Sequence, residues 1–394
     1  MLENLIGEFK KVYGSKEDVC SFFAPGRVNL IGEHIDYNGG HVFPCALSLG
    51  TYALVRKRKD SQIRVFSKNF SEIGVIRSDL STIQYEESND WANYPLGVID
   101  ILQKENYRID HGMDILFNGN IPNGAGLSSS ASVELVMGVA LNNLFQLNID
   151  QVDLVKYCQR AENEFIGVSC GIMDQFSIGL AKQDHAILLN CQTLDYQQTP
   201  IQLDEEVLII ANSNKRRGLA DSKYNERRAE CEQALADLKE TLDIHSLGDL
   251  SIDEFENNKH LIKNTTELKR AKHAVYENQR TIEAVHRLNN GDLIGFGQLM
   301  NESHVSLRDD YEVTGKELDA LVEAAWEEGA IGARMTGAGF GGCTINIVKK
   351  TEEDHFIQKV GKRYKDKVGL TADFYVVEIG DGAKQLEGGE KVWQ

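Results

Sequence analysis

The 394-residue chain has no apolar run near the ~20 residues that cross a bilayer. Its start, Met1-Leu2-Glu3-Asn4, has neither the basic region nor the apolar core of a secretory signal. Seven cysteines, an odd number, fall nowhere in C-x-x-C spacing. That argues against a disulfide framework or a zinc site and for a reducing, cytoplasmic setting. Positive charge is scarce too: 42 Lys and Arg against 60 Asp and Glu leave a net charge of −18. Nucleic acid and anionic membrane are therefore disfavoured as main partners. Internal repeats and low-complexity tracts are lacking. What remains is ordinary soluble-type content, 42% hydrophobic and 26% charged, long enough for two domains.

Hydrophobic periodicity places helices at 2–13, 94–103, 133–145, 152–165, 224–242, 265–288, 292–306 and 316–328. Strands are expected at 19–23, 51–58, 62–67, 112–117 and 207–211, with 51–58 and 62–67 joined as a hairpin by Lys59-Asp60-Ser61. A polar stretch holding Pro200 suggests a boundary near 203–206, which divides the chain into 1–205 and 206–394. Beyond it, a strand at 344–348, a helix at 352–364 and a strand at 374–379 suggest a small α/β layer.

Three glycine-rich stretches interrupt this pattern. The first, 25–40, reads as shaped backbone, neither helix nor strand, and carries Arg27, Glu33, His34, Asp36 and Tyr37. One cation, two carboxylates, an imidazole and a phenol on such a loop suit a polyhydroxylated ligand. The second, 122–132, contains Gly124, Ala125, Gly126, Leu127, Ser128, Ser129 and Ser130 between a strand and a nearly all-apolar helix. That arrangement presents free N–H groups and a positive dipole end to a phosphate, although the Gly-Lys-Ser/Thr ending of a Walker A loop is missing. The third, 332–343, leads into the last strands. Glu162 falls on the apolar face of its helix, where it needs a metal or a basic partner. Asp174 follows two glycines between apolar neighbours, a setting for acid–base work or for a plain solvated turn. Lys215, Arg216, Arg217, Arg227 and Arg228 form a basic patch, either an anion guide or a solvated helix face.

Together the three stretches resemble the motifs of the GHMP kinases. Residues 122–132 are similar to that family's phosphate loop and 332–343 to its third, glycine-rich motif. Residues 26–37 resemble the narrower signature of the galactokinase branch almost position by position, as do 170–175 and 224–228. The resemblance implies an α/β (α+β type) fold of two domains with the active site in the cleft between them. It implies transfer of the ATP γ-phosphate to the C1 hydroxyl of α-D-galactose, with galactose and Mg-ATP as partners; the sequence does not give the oligomeric state, and a monomer is plausible. Glu33, His34, Ile35, Asp36 and Tyr224 would bind the sugar. Gly124 to Ser130 would cradle the ATP phosphates, with Ser67 as a further nucleotide contact. Ser130 and Glu162 would hold Mg²⁺, and Asp174 would take the C1 hydroxyl proton with Arg27 beside it. An N-acetylgalactosamine kinase shares these motifs, and a non-catalytic galactose sensor is the alternative outside enzymes. The complete phosphate loop and Asp174 favour the enzyme.

Overall fold

The computed structural model describes residues 2–122, 125–168, 170–215 and 220–386, with backbone alone at 220–222. Most helices fall where hydrophobic periodicity places them, the first spanning Leu2–Tyr13. The described strands form sheets of six, four and three strands.

The six-stranded sheet runs in the order Lys384–Leu386, Cys20–Asn29, Pro44–Lys57, Met113–Gly119, Gln62–Ser67, Ile76–Asp79. Both faces are buried, and alternate residues divide between them. Phe22, Ala53, Val55 and Ile115 turn to the helices Asn93–Lys104, Ser129–Leu144, Gln151–Arg160 and Met173–Leu180. Phe23, Tyr52, Leu54 and Leu116 turn to Leu5 and Phe9 of the first helix.

The expected hairpin does not form. Met113–Gly119 lies between Pro44–Lys57 and Gln62–Ser67, antiparallel to one and parallel to the other. Gly112 is the wedge. Its N–H reaches the Asp60 carbonyl at 2.6 Å and its carbonyl accepts from Arg58 N at 2.8 Å, while a Cβ there would meet Gln62 backbone at 2.0 Å. Asp114 then draws both flanking strands inward by accepting from Arg56, Arg58 and Arg64.

The four-stranded sheet is antiparallel, in the order Gly332–Thr336, Cys343–Lys349, Glu206–Asn212, Asp373–Val377. One face packs on the helices Gly315–Glu327 and Glu353–Val368 through Ile209, Leu321, Val348 and Phe356. The other presents Leu208, Ile210, Ile345 and Ile347 to Leu30, Phe43 and Leu47 of the first half and to Phe296 and Met300. This shared core sets the two large sheets against each other. The third sheet joins His41–Val42, His185–Asn190 and Tyr196–Pro200.

Three local expectations need correcting. Residues 25–29 are strand, with a register shift between Pro25 and Arg27, because Val28 and Asn29 pair with Cys45 and Pro44. Residues 332–336 are likewise strand, so the third stretch loops only from Gly337 onward. The 152–165 helix stops at Arg160 and widens into a π-turn over Ala161–Ile166, which sets Glu162 apart from the regular ladder.

Candidate active site

Gly26 and Arg27 sit on the phosphate loop itself. A Cβ at Gly26 would stand 2.8 Å from the Leu127 carbonyl, so only glycine permits the approach that lets Arg27 N donate to that carbonyl at 3.2 Å. The Arg27 guanidinium then spans the site. Nη1 donates to the Gly126 carbonyl at 2.9 Å, and Nε and Nη2 both reach Asp174 Oδ1 at 2.8 Å. Asp174 stands in the first turn of the Met173–Leu180 helix, and its Oδ2 accepts from the Ser128 hydroxyl. Its setting is thus a charge-assisted cluster and not a plain solvated turn.

Ser128 has φ 59 and precedes the Ser129–Leu144 helix, whose first turn takes no side-chain cap. Orphan N–H groups and a positive dipole end therefore open beside Arg27. Ala125 and Leu127 are buried and give the loop a hydrophobic floor. Gly124 lies outside the described residues. Ser67 ends its strand, and its hydroxyl accepts from Asn69 N, bonding to that turn and not to the Arg27–Asp174 cluster.

Behind the loop, the Ser130 side chain lies near enough to Glu162 to favour its ionised form. Gln175 Nε2 donates to Glu162 Oε2 at 2.7 Å and to Glu134 Oε2 at 2.9 Å. Burial, then the charge of Asp174, pushes the Glu162 carboxyl above its usual range. Burial, then Glu162, pushes Glu134 higher still. Among the described residues neither carboxylate has a Lys or Arg within ion-pair distance, and Glu134 Oε1 has no partner. Glu134 escapes a reading of its helix as all apolar. The signal was a lone carboxylate in the run Val133, Glu134, Leu135, Val136, Met137.

On the other side of Arg27 the first stretch gathers Glu33, His34, Asp36 and Tyr37 beside Tyr224 and Tyr311. Glu33 is buried, and its Oε1 accepts from the Thr336 hydroxyl at 3.0 Å and Gly337 N at 2.8 Å, so the third stretch backs the first. His34 Nδ1 meets the Tyr37 hydroxyl at 2.9 Å, which meets Tyr311 at 2.7 Å. Burial, then the neighbouring His273, lowers the His34 imidazole to about 3 and keeps it neutral. Asp36 is pushed up to about 6 by burial and then by the charge of Glu33. A Cβ on Gly171 would crowd its Oδ2 at 2.8 Å. Tyr224 reaches in from the Ala220–Lys239 helix, with ring centroids 5.7 Å from His34 and 5.6 Å from Tyr37. Ile35 is different: its side chain is in the hydrophobic core, and its carbonyl accepts from Asn38 N at 3.1 Å and Gly40 N at 2.9 Å.

The basic patch divides. Arg227 is buried and donates to the Tyr311 carbonyl at 2.8 Å, while Arg228 pairs with Glu232 on an exposed face. Lys215 pairs with Glu317, and Arg216 and Arg217 lie outside the described residues. The geometry as a whole brings a cluster of carboxylate, imidazole and phenol groups against the glycine-rich loop that carries Gly126 and Ser128, with Arg27 and Asp174 at the junction.

Comparison with known proteins bears on the family and the fold. The galactokinase galactose-binding signature matches residues 7–57, the GHMP kinase N-terminal domain matches 93–182, and the GHMP kinase C-terminal model matches 281–366. A galactokinase of Bacillus subtilis is 59% identical over 98% of this chain and all of its own length. A galactokinase of Fusobacterium nucleatum is 57% identical over the same shares. The crystal structure of Lactococcus lactis galactokinase complexed with galactose superposes with a TM-score of 0.94 at 48% identity, covering 98% of this chain and all of that one. Mevalonate kinase of Methanococcus jannaschii, with a TM-score of 0.68 at 18% identity, covering 93% of this chain and all of its own, shares the fold.

Proposed function

The chain belongs to the galactokinase family of the GHMP kinases and is an ATP-dependent galactose kinase, and on that premise we propose how its residues divide the work. Galactose lies in the recess of Glu33, His34, Asp36 and Tyr224, and the Ile35 backbone lines it. Carboxylates accept from sugar hydroxyls, and a recess built to bond each hydroxyl rejects analogues that lack one. Because Glu33 Oε1 is already taken by Thr336 and Gly337, its other oxygen serves the sugar.

The ATP phosphates rest on the loop from Gly124 to Ser130 and on the open first turn of the Ser129–Leu144 helix. Ser67 is assigned to the nucleotide side. The C1 hydroxyl oxygen attacks the γ-phosphorus, its proton passes to Asp174, and the bond to the β-phosphate oxygen breaks to leave ADP. Arg27 holds Asp174 in place and offsets negative charge on the transferred group. The observation that carries this reading is the Arg27–Asp174–Ser128 cluster, which joins the sugar recess to the phosphate loop.

The buried pair Glu162 and Glu134, sharing one amide and lacking a described cation, fits a divalent ion. Ser130 and Glu162 would hold Mg²⁺, which when bound neutralises phosphate-oxygen charge. Cys20, Cys45, Cys158, Cys170, Cys191 and Cys231 carry free thiols, which suits a reducing cytoplasm, and no helix of the described residues is long and apolar enough to cross a membrane. Residues 1–205 and 206–394 form the two walls of the cleft, except that Lys384–Leu386 returns to pair with Cys20–Asn29. Galactose-dependent ADP release, with galactose 1-phosphate identified by ³¹P NMR, tests the function. Release without a sugar phosphate, or none at all, would reopen the sensor alternative.

A further inference from the structure

The turn that aims Glu33 and Asp36 passes through two left-handed backbone positions, Gly32 at φ +94 and His34 at φ +63. A non-glycine residue such as His34 stays there only when its surroundings over-determine the turn. Those surroundings come from the other half of the chain. Glu277, wholly buried on the Thr265–Asn289 helix, accepts from Gly32 N at 3.0 Å through Oε1. The same oxygen accepts from the Ser303 hydroxyl at 2.5 Å, and Oε2 takes Arg280 Nε at 2.8 Å. Ser303 in turn accepts from Arg334 Nε at 3.2 Å, and Arg334 Nη1 donates to the Asn29 carbonyl at 2.9 Å. His273 closes the ring at 3.1 Å from the Glu33 carbonyl. The backbone of 29–33 is thus held at Asn29, Gly32 and Glu33 by groups from the second half of the chain, of which Arg334 also stands 3.5 Å from Glu33 Oε1.

We propose that Glu277 is a positioning residue for galactose: together with Ser303 and Arg334 it locks the 29–33 backbone, and so sets where Glu33, His34 and Asp36 meet the sugar. The inference rests on the reading of that recess as the galactose site. An isolated buried carboxylate is costly, yet this one has Arg280 on one oxygen and two donors on the other. The arrangement is charged and directed at a single strained turn, with Arg280 Nη2 and Arg334 Nη2 left without a partner among the described residues. The nucleotide side is reached through other groups, Gly126 and Leu127, so the clamp bears first on the sugar.

The test is steady-state kinetics with calorimetric galactose binding on Glu277→Gln and Ser303→Ala. Gln puts an amide nitrogen against Arg280 or Gly32, where a donor now faces a donor. Weakening charge-assisted hydrogen bonds of this kind should raise both the galactose KM and its Kd by about tenfold or more in Glu277→Gln, with the ATP KM within about twofold. Ser303→Ala should move the same quantities by a smaller factor, and it decides the matter if Glu277→Gln does not fold. A merely structural role would lower the melting temperature and the active fraction and leave both KM values unchanged, and that result would overturn the proposal. So would equal rises in the two KM values. Asp36→Asn is the control on the recess: if it leaves galactose affinity intact, the recess is not the sugar site and the clamp falls with it. If it weakens galactose binding while the Glu277 and Ser303 variants do not, the clamp alone is refuted.

Discussion

Asp174→Asn separates a base from a bystander, and the structure makes the substitution unusually clean. Arg27 places Nε and Nη2 on the same oxygen, Oδ1, each at 2.8 Å, while Ser128 donates to Oδ2. An asparagine must keep its carbonyl oxygen toward Arg27, because its NH₂ would otherwise face two donors. The amide nitrogen then falls where Oδ2 was, opposite a Ser128 hydroxyl able to rotate and accept. Position, volume and helix are kept, and what is lost is the charge and the proton acceptor. The ion pair itself is partly exposed, with the Asp174 side chain 31% accessible, so stability should change by about 1 kcal/mol or less. A positioned general base contributes roughly 10²–10⁴ in rate, or about 3–5 kcal/mol in the barrier. The expected result is therefore a fall of that size in kcat, with the melting temperature and galactose KM little changed. Initial-rate kinetics coupled to ADP release measures the first, and scanning fluorimetry the second. If kcat stays within about tenfold of the parent while galactose KM rises, Asp174 orients the sugar and does not take its proton.

Two further expectations concern the other carboxylates. Glu162→Ala should raise the Mg²⁺ concentration that gives half-maximal rate, since it removes the charged member of the Ser130–Glu162 pair; an unchanged Mg²⁺ titration refutes metal ligation. Asp36 has a folded-state pKa near 6 against 3.8 for the free group, so between those values the unfolded chain is ionised where the folded one is not. It costs stability above pH 6, on the order of 1–3 kcal/mol, and the cost is relieved as pH falls through 6 toward 4. Asp36→Asn should then stabilise the sugar-free protein at pH 7.5, with the gain shrinking toward pH 4, while galactose affinity drops. A melting-temperature difference that does not vary between pH 7.5 and 4 would show that Asp36 is not the strained group.

Local order was readable from the chain to within a few residues, because periodicity reports which side of a helix meets a core. The Leu2–Tyr13 and Thr265–Asn289 helices need nothing more. Strand order was not readable in the same way. Met113–Gly119 enters between two strands that a three-residue link makes look like a hairpin, and the choice is made by Asp114, whose carboxylate collects Arg56, Arg58 and Arg64. No local pattern records a contact of that range. Glu134 and Glu277 escaped notice for a related reason. Each is a single charged residue with decisive partners remote in sequence, Gln175 for Glu134 and Ser303 and the Gly32 amide for Glu277. The one near partner of Glu277, Arg280, looks like an ordinary helix pair.

The glycines of the three stretches belong to one structural problem, which explains why composition found the stretches singly and only the family resemblance joined them. The first stretch is pressed between the other two. On one side Gly26 admits the Leu127 carbonyl of the phosphate loop, and on the other Glu33 takes the Thr336 hydroxyl and the Gly337 amide of the third stretch. Backbone-to-backbone approach of this kind leaves no room for a Cβ at Gly26, and so it leaves a glycine in the sequence without naming its partner. The chemistry follows from the same compression. Arg27, one residue after Gly26, can reach Gly126 and Asp174 together only because its strand lies against the loop that carries Leu127. A side chain at position 26 would therefore act on turnover before it acted on folding, by lifting Arg27 away from the carboxylate it holds.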